Sequence, residues 1–238
     1  MIYAIASYHR SECRTVKTLL EAGVAKKDIV VALQDEADIP LYKANYPDIR
    51  FIYRKADCAA ANRNTLLDEI KERPICLLDD DIVSFCYRFE NKVFRVDTKK
   101  SLDIILKFSQ KIAENNCLLA GISPTNSNIL AKNRPEISVD NLLQGSVLIF
   151  FSPDLRFDER FKMVEDYELA LRVIYSGQYV FRENYICANK PKNGTNAGGL
   201  HERYARGELP FWLNLLHKKY PMFKVNKNKT GGDIVWKK

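Results

Sequence analysis

Apolar residues recur along this chain as short runs, separated by stretches in which they return every three or four positions. Ile2–Ser7, Ile29–Leu33, Ile49–Tyr53, Pro74–Leu78, Cys117–Ile122 and Val147–Phe151 have the length and density of buried strands. Between them, Arg14–Ala22 carries Val16, Leu19 and Leu20 on one helical face, and Gly23 is a C-terminal stop. Ala59–Lys71 does the same with Leu66, Leu67 and Ile70, and Ser101–Glu114 with Leu102, Ile105, Leu106 and Ile112. Tyr167, Ala170, Leu171 and Ile174 form a further stripe. Strands alternating with helices predict an α/β domain whose mostly parallel twisted sheet is flanked by helices. Phe85–Val96 is expected as a short hairpin or loop, and the polar, Asn- and Pro-containing Ser123–Asn141 as a long surface loop. After Asn189 the composition shifts to Gly, Asn and Lys. The expected division is a domain over 1–188 and a small basic C-terminal annex over 189–238 that completes the site.

Composition narrows this only modestly. In 238 residues, 46% hydrophobic content with 12 Phe and 12 Tyr suffices for one sizeable core. No run of 18 apolar residues occurs and Met1-Ile2-Tyr3 enters a strand directly, so a cytoplasmic protein with no membrane association is expected. The six cysteines are scattered without CxxC pairs, which predicts buried reduced thiols. The net charge of +7 is compatible with nucleic acid, an anionic membrane surface or nucleotide phosphates, and equally with a solvated charged surface. Its excess is late: Lys190, Lys192, Arg203, Arg206, Lys218, Lys219, Lys224, Lys227, Lys229, Lys237 and Lys238.

The chemistry concentrates at Pro74-Ile75-Cys76-Leu77-Leu78-Asp79-Asp80-Asp81, an apolar run closed by consecutive carboxylates. Strand alternation puts Asp79 and Asp81 on one face and Asp80 on the other. Such anions repel one another unless a cation or many donors offset them. Hard divalent ions are held by one or two carboxylates plus substrate phosphates, so a metal–diphosphate site is one reading and a solvated acidic turn the other. Ligands of doubly wound sheets gather at the carboxyl ends of strands. Ser7–Arg10, Gln34–Glu36 and Asp79–Asp81 all fall there, which favours the metal–nucleotide reading and brings Ser7, Arg10 and Asp80 to the nucleotide.

Two more motifs follow. Ala60-Ala61-Asn62-Arg63-Asn64-Thr65 opens the helix before the acidic strand, and an Arg there can grip phosphate or carboxylate. Glu165-Asp166 opens the Tyr167–Ile174 helix, where capping explains acidic residues and a general base is the alternative. In this order the motifs resemble the nucleotide-sugar glycosyltransferases of the A-type fold, over roughly residues 1–180. The resemblance implies Asp79 and Asp81 as ligands of Mn²⁺ or Mg²⁺ on the donor diphosphate, with a UDP-sugar as the expected donor. It implies nucleotide contacts from Asp35 and Arg63, and Asp166 with Glu165 at the acceptor as base of an inverting enzyme. A late His completes the metal shell in some members, and His201 is best placed for that. Asn189–His201 looks like a loop over the site.

Within that fold, the basic tail and the Gly198-Gly199-Leu200-His201-Glu202-Arg203-Tyr204 segment look similar to the TET-associated glycosyltransferases of phages. That likeness implies a hydroxymethylated pyrimidine in double-stranded DNA as acceptor, and the host cytoplasm as location if phage-encoded. An extruded base could stack on Tyr87, Phe89, Phe94, Tyr204, Phe211 or Trp212, although packing accounts for most of these. A carbohydrate acceptor, such as capsule or lipopolysaccharide, and a non-catalytic nucleic-acid-binding relative remain the alternatives. Retention or inversion is open.

Overall fold

The computed structural model describes residues 1–90, 93–127, 134–191, 200–226 and 233–236. Its first half follows the predicted alternation. β1 (Ile2–Ser7), β2 (Ile29–Leu33), β3 (Arg50–Tyr53) and β4 (Ile75–Asp79) lie in the order β3-β2-β1-β4, all parallel. They are connected through α1 (Arg14–Glu21), α2 (Ile39–Asn45) and α3 (Ala59–Glu69). The helix α2 has no counterpart in the sequence pattern, because its only buried side chain is Tyr42.

Beyond β4 the sheet is mixed, which corrects the expectation of a mostly parallel one. β9 (Val147–Phe150) is antiparallel to both its neighbours, β4 and β7 (Leu119–Ser123). β10 (Val180–Asn189) runs parallel to β7 and then antiparallel to β5 (Ser84–Phe89), which pairs in turn with β6 (Val93–Val96) as the expected hairpin. Connection length accounts for the reversal of β5, since four residues separate Asp79 from Ser84 and a return in the same direction takes about a dozen. β9 follows β7 after a long connection that permits either direction. An antiparallel strand covered on both faces reads as the same continuous apolar run as a parallel one, so periodicity could not tell them apart. The Ser123–Asn141 loop also contains a strand, β8 (Ile137–Val139), paired to β10; residues 128–133 lie outside the described part.

Alternation sorts the side chains into two layers. Tyr3, Ile5, Cys76 and Leu78 pack under α1 and α4 (Thr98–Ala113), against Val16, Leu19, Ile105 and Phe108. Ala4, Ile75 and Leu77 pack on the other face under α3 and α5 (Glu165–Tyr175), against Leu66, Leu67, Leu169 and Val173. The chain after β10 forms α6 (His201–Ala205), α7 (Leu209–Lys219) and the hairpin β11 (Phe223–Asn226) with β12 (Asp233–Trp236). Leu213, Leu216 and Tyr220 join Phe161, Val164 and Leu171 in a small third core, so the annex is docked against α5. All six cysteines are buried and unbonded, as expected. Among the described residues no helix is long and apolar enough to cross a membrane.

Candidate active site

The acidic triplet begins on the last residue of β4 and continues into a turn fastened to α1. The Thr15 hydroxyl donates to the Asp79 carbonyl at 2.6 Å and accepts the Ile82 N–H at 2.9 Å, while the Thr15 N–H donates to the Asp80 carbonyl at 3.3 Å. Asp79 continues the face of β4 that looks to α3 and α5, and Asp80 the opposite face, as strand alternation requires. On its side Asp80 is buried, accepting from Ser7 Oγ at 2.6 Å on one oxygen and from Arg10 on the other. Burial raises its carboxyl above the ordinary range despite Arg10. Tyr42 closes this unit: its hydroxyl lies 2.6 Å from Ser7 Oγ and accepts the Arg10 N–H at 3.1 Å. Asp81 lies past the strand end and leaves the alternation, 3.5 Å from the same Arg10.

Asp79 faces a different set. Its two oxygens accept from Arg63 Nη2 at 2.8 Å and from Lys190 Nζ at 2.7 Å. Burial alone would raise its carboxyl, but Lys190 and Arg63 outweigh it and hold the group below the usual range. The other guanidinium nitrogen of Arg63 donates to Glu165 Oε1 at 2.6 Å, so this one side chain joins the strand end to the start of α5. Gly145 makes room for it. A Cβ on Gly145 would come within 2.9 Å of Arg63 Nη2, closer than real Cβ contacts allow. The neighbouring Asn64 clamps the segment before α5, donating to the Phe157 carbonyl at 3.0 Å and accepting the Phe157 N–H at 2.8 Å. Asn62 donates to the Ser7 and Ala32 carbonyls, tying α3 to the ends of β1 and β2.

The two acids of α5 are treated unequally. Glu165 is 3% exposed, and burial pushes it up to about 7 against the pull of Arg63. Asp166 is half-buried, its oxygens accepting the Gly145 N–H at 2.6 Å and the Tyr167 N–H at 2.9 Å. Burial raises its carboxyl too, with Arg63 and these N–H groups opposing. Glu165 therefore orients Arg63, while Asp166 is the more exposed of the two carboxylates. On α6, the half-buried Tyr204 phenol is pushed up to about 12 by burial and by the charges of Asp166 and Glu165.

The fold thus brings together Ser7, Arg10, Arg63, Asp79, Asp80, Asp81, Glu165 and Asp166. Asp35 stands apart at the β2 end, capping the turn through Ala37 N–H at 3.0 Å and lying 3.7 Å from His9 Nε2. Among the described residues no three His, Cys, Asp or Glu side chains gather as metal ligands, so Asp79, Asp81 and His201 do not form a three-residue set. The residues still suit a divalent ion completed by phosphate oxygens. Five carboxylates (Asp79, Asp80, Asp81, Glu165, Asp166) face three cations, Arg10, Arg63 and Lys190. Sequence reasoning missed Lys190, Gly145 and Tyr42 as site residues. Lys190 stood out in the sequence only as the first of the late basic residues, and the other two had no signal.

The model of the TET-associated glycosyltransferases matches residues 2–199. The chain belongs to this family. It is accordingly an enzyme that transfers a sugar. The match spans Asp79–Asp81, Glu165–Asp166 and Lys190 and stops before His201 and Tyr204. None of the curated proteins matches the chain. A solved structure of CMP:2-keto-3-deoxy-manno-octonic acid synthetase complexed with CTP is similar in fold, at 9% identity and a TM-score of 0.52. The alignment covers 91% of this chain and 98% of that one.

Two features of this glycosyltransferase bear on its acceptor. Among the described residues, most of the late basic charge is engaged within the protein. Arg203 and Arg206 pair with Glu208, and Lys219 with Glu168 at 2.8 Å and Asp158 at 3.2 Å. Lys218 is exposed, whereas Lys192, Lys227, Lys229, Lys237 and Lys238 lie outside the described residues, as does most of the Asn189–His201 loop. The aromatic residues divide as well. Trp212 packs on Phe161, and Tyr87 and Phe89 line a cavity of about 370 Å³ with Lys100, Glu183 and Tyr185. That cavity is lined by none of the strand-end carboxylates. Because β5 is antiparallel to β10, with Ser84 opposite Asn189, Phe89 lies at the far end of its strand from Lys190.

Proposed function

We propose that the chain is a nucleotide-sugar glycosyltransferase of the A-type architecture, with a hydroxymethylated pyrimidine in DNA as its acceptor. The observation that carries the reading is the bridge from Asp79 through Arg63 to the Glu165–Asp166 helix start. It sets a strand end where carboxylates and cations meet, suited to a divalent ion with a diphosphate, beside a half-buried carboxylate suited to an acceptor proton. Ser7, Arg10 and Asp80 would line the nucleotide side, with Asp35 at its outer edge. Asp79 and Asp81 would hold Mn²⁺ or Mg²⁺, and that ion would neutralise the leaving diphosphate as a Lewis acid.

In this reading Asp166 accepts the proton of the attacking hydroxyl as its oxygen bonds to C1 on the face opposite the departing diphosphate and the C1–O bond to the phosphate breaks, a single displacement that inverts the configuration. The Gly145 and Tyr167 N–H groups keep its two oxygens aimed. Glu165 holds Arg63, and Arg63 holds Asp79. An acceptor base within duplex DNA has to leave the stack to bring its hydroxyl to Asp166. The likeness to TET-associated glycosyltransferases of phages and the net charge of +7 are the grounds for taking DNA over a carbohydrate. Incubation with labelled nucleotide sugars, UDP-sugars first, tests all of it. Label should enter hydroxymethylated duplex and not plain duplex of the same sequence. Transfer to oligosaccharide alone would replace the acceptor, and transfer to nothing would overturn the enzyme reading.

A further inference from the structure

Lys190 is the first residue after β10, and it sits where the site should hold something else. Its ammonium lies 2.7 Å from Asp79 Oδ2, and Asp81 adds to its stabilisation. Arg63 already satisfies the other oxygen of Asp79, so with Lys190 in place that carboxylate has both oxygens occupied by cations. A divalent ion drawn to Asp79 and Asp81 would meet an ammonium a few ångströms away, and at that range unit charges repel strongly even with partial screening. The two cations also differ in freedom. The Arg63 side chain is 9% exposed and fixed between Glu165 and Asp79, whereas that of Lys190 is 21% exposed and pairs with Asp79. A lysine is a point charge on a flexible stem, able to trade one anion for another without the geometric matching a guanidinium needs.

We propose that Lys190 is an internal counter-ion that holds Asp79 in the empty enzyme and moves onto the donor diphosphate when metal and donor enter together. The exchange rests on the metal–diphosphate reading given above. It makes metal and nucleotide binding mutually dependent: the ion gains Asp79 only when phosphate oxygens take the ammonium. It also keeps the five-carboxylate cluster partly neutralised between turnovers, and it supplies a protein-borne positive charge to the leaving group.

The test uses the full chain and follows free Mn²⁺ by its EPR signal, with uridine diphosphate as the nucleotide probe. Wild type, Lys190→Met, Lys190→Arg and Asp81→Asn are compared, each checked by its melting temperature. Without nucleotide, Lys190→Met should bind Mn²⁺ at least about tenfold more tightly than wild type, and Lys190→Arg close to wild type. With Mn²⁺ saturating, the affinity of Lys190→Met for uridine diphosphate should fall about tenfold or more, since a charge-assisted phosphate contact is lost. If Lys190→Met takes up Mn²⁺ no more tightly than wild type, while Asp81→Asn weakens uptake, the exchange is wrong and the metal site stands. If no variant binds Mn²⁺ even with uridine diphosphate present, the metal reading falls and the exchange falls with it.

Discussion

The site contains two acidic clusters, and the protein steadies them by different means. At the end of β4, Asp79, Asp80 and Asp81 are met by side-chain cations, Arg10, Arg63 and Lys190, and by the Ser7 hydroxyl. At the start of α5, Asp166 is met by backbone N–H groups, and Glu165 by Arg63. The difference follows from what surrounds each cluster: Gly145, ahead of β9, brings one backbone N–H to Asp166, and the start of α5 supplies the other through Tyr167. A helix N-terminus presents unpaired N–H groups and the positive end of its dipole. Sheets have only small net dipoles, so charge placed at the end of a strand must be answered by other side chains. The strand-end cluster is thus held by side-chain cations, one of them on a flexible lysine stem, while Asp166 at the helix start is held by backbone. Arg63 belongs to both.

That shared residue gives the sharpest way to break the contrast. Arg63→Met leaves Glu165 and Asp79 short of a buried partner and should cost about 3–5 kcal/mol of stability. A urea titration would show it as a lower midpoint with an unchanged slope, and a cost below about 1 kcal/mol would mean the clusters are independent. Asp166→Asn addresses the helix start alone. Transfer should slow at least ~100-fold while donor affinity and melting temperature stay near wild type. A rate within about threefold of wild type would leave Asp166 as a helix-start residue only. Gly145→Ala presses a methyl group against the guanidinium and should destabilise by about 2 kcal/mol, read by thermal unfolding.

The smallest expected effect is a pH slope. Burial lifts Glu165 from its ordinary value of 4.5 to about 7, so the folded chain keeps a proton that the unfolded chain releases between those values. The stability this supplies is fully present below the lower value and is lost as the pH rises through the upper one. Glu165→Gln has no such proton. Its unfolding free energy should therefore decline less than that of wild type across the window. Parallel curves would place the titration elsewhere.

The sequence pattern made the first half of the fold legible because β1 to β4 obey simple rules: apolar runs, helical connections, carboxyl ends gathered at one edge. The acidic triplet and the Glu165–Asp166 pair could be picked out because unpaired charge beside an apolar run is costly and invites explanation. The order of β9, β7 and β10 could not be read, since pairing direction leaves no mark on strands buried on both faces. Nor could the division of labour between Glu165 and Asp166. It depends on where Arg63 and Gly145 arrive from distant parts of the chain, 102 residues away for the Arg63–Glu165 contact. Lys190 looked like one more residue of a basic tail until β10 was known to end beside Asp79.

The antiparallel insertion of β9 between β4 and β7 also governs how the molecule can emerge during synthesis. Until residue 150 has left the ribosome, β4 has a partner on one side only, and its Ile75-Cys76-Leu77-Leu78 run presents an unpaired apolar edge. The nascent N-terminal half therefore resembles a sheet with a sticky rim, the kind of species that associates with its own copies at high concentration. Pairings between segments so far apart in the chain slow folding, because their loop entropy is spent before they give anything back. Closing that rim and assembling the site are one event. The Asp79 N–H donates to the Ser146 carbonyl at 3.1 Å, beside Gly145, so the strand that seals the sheet also delivers the backbone that aims Asp166.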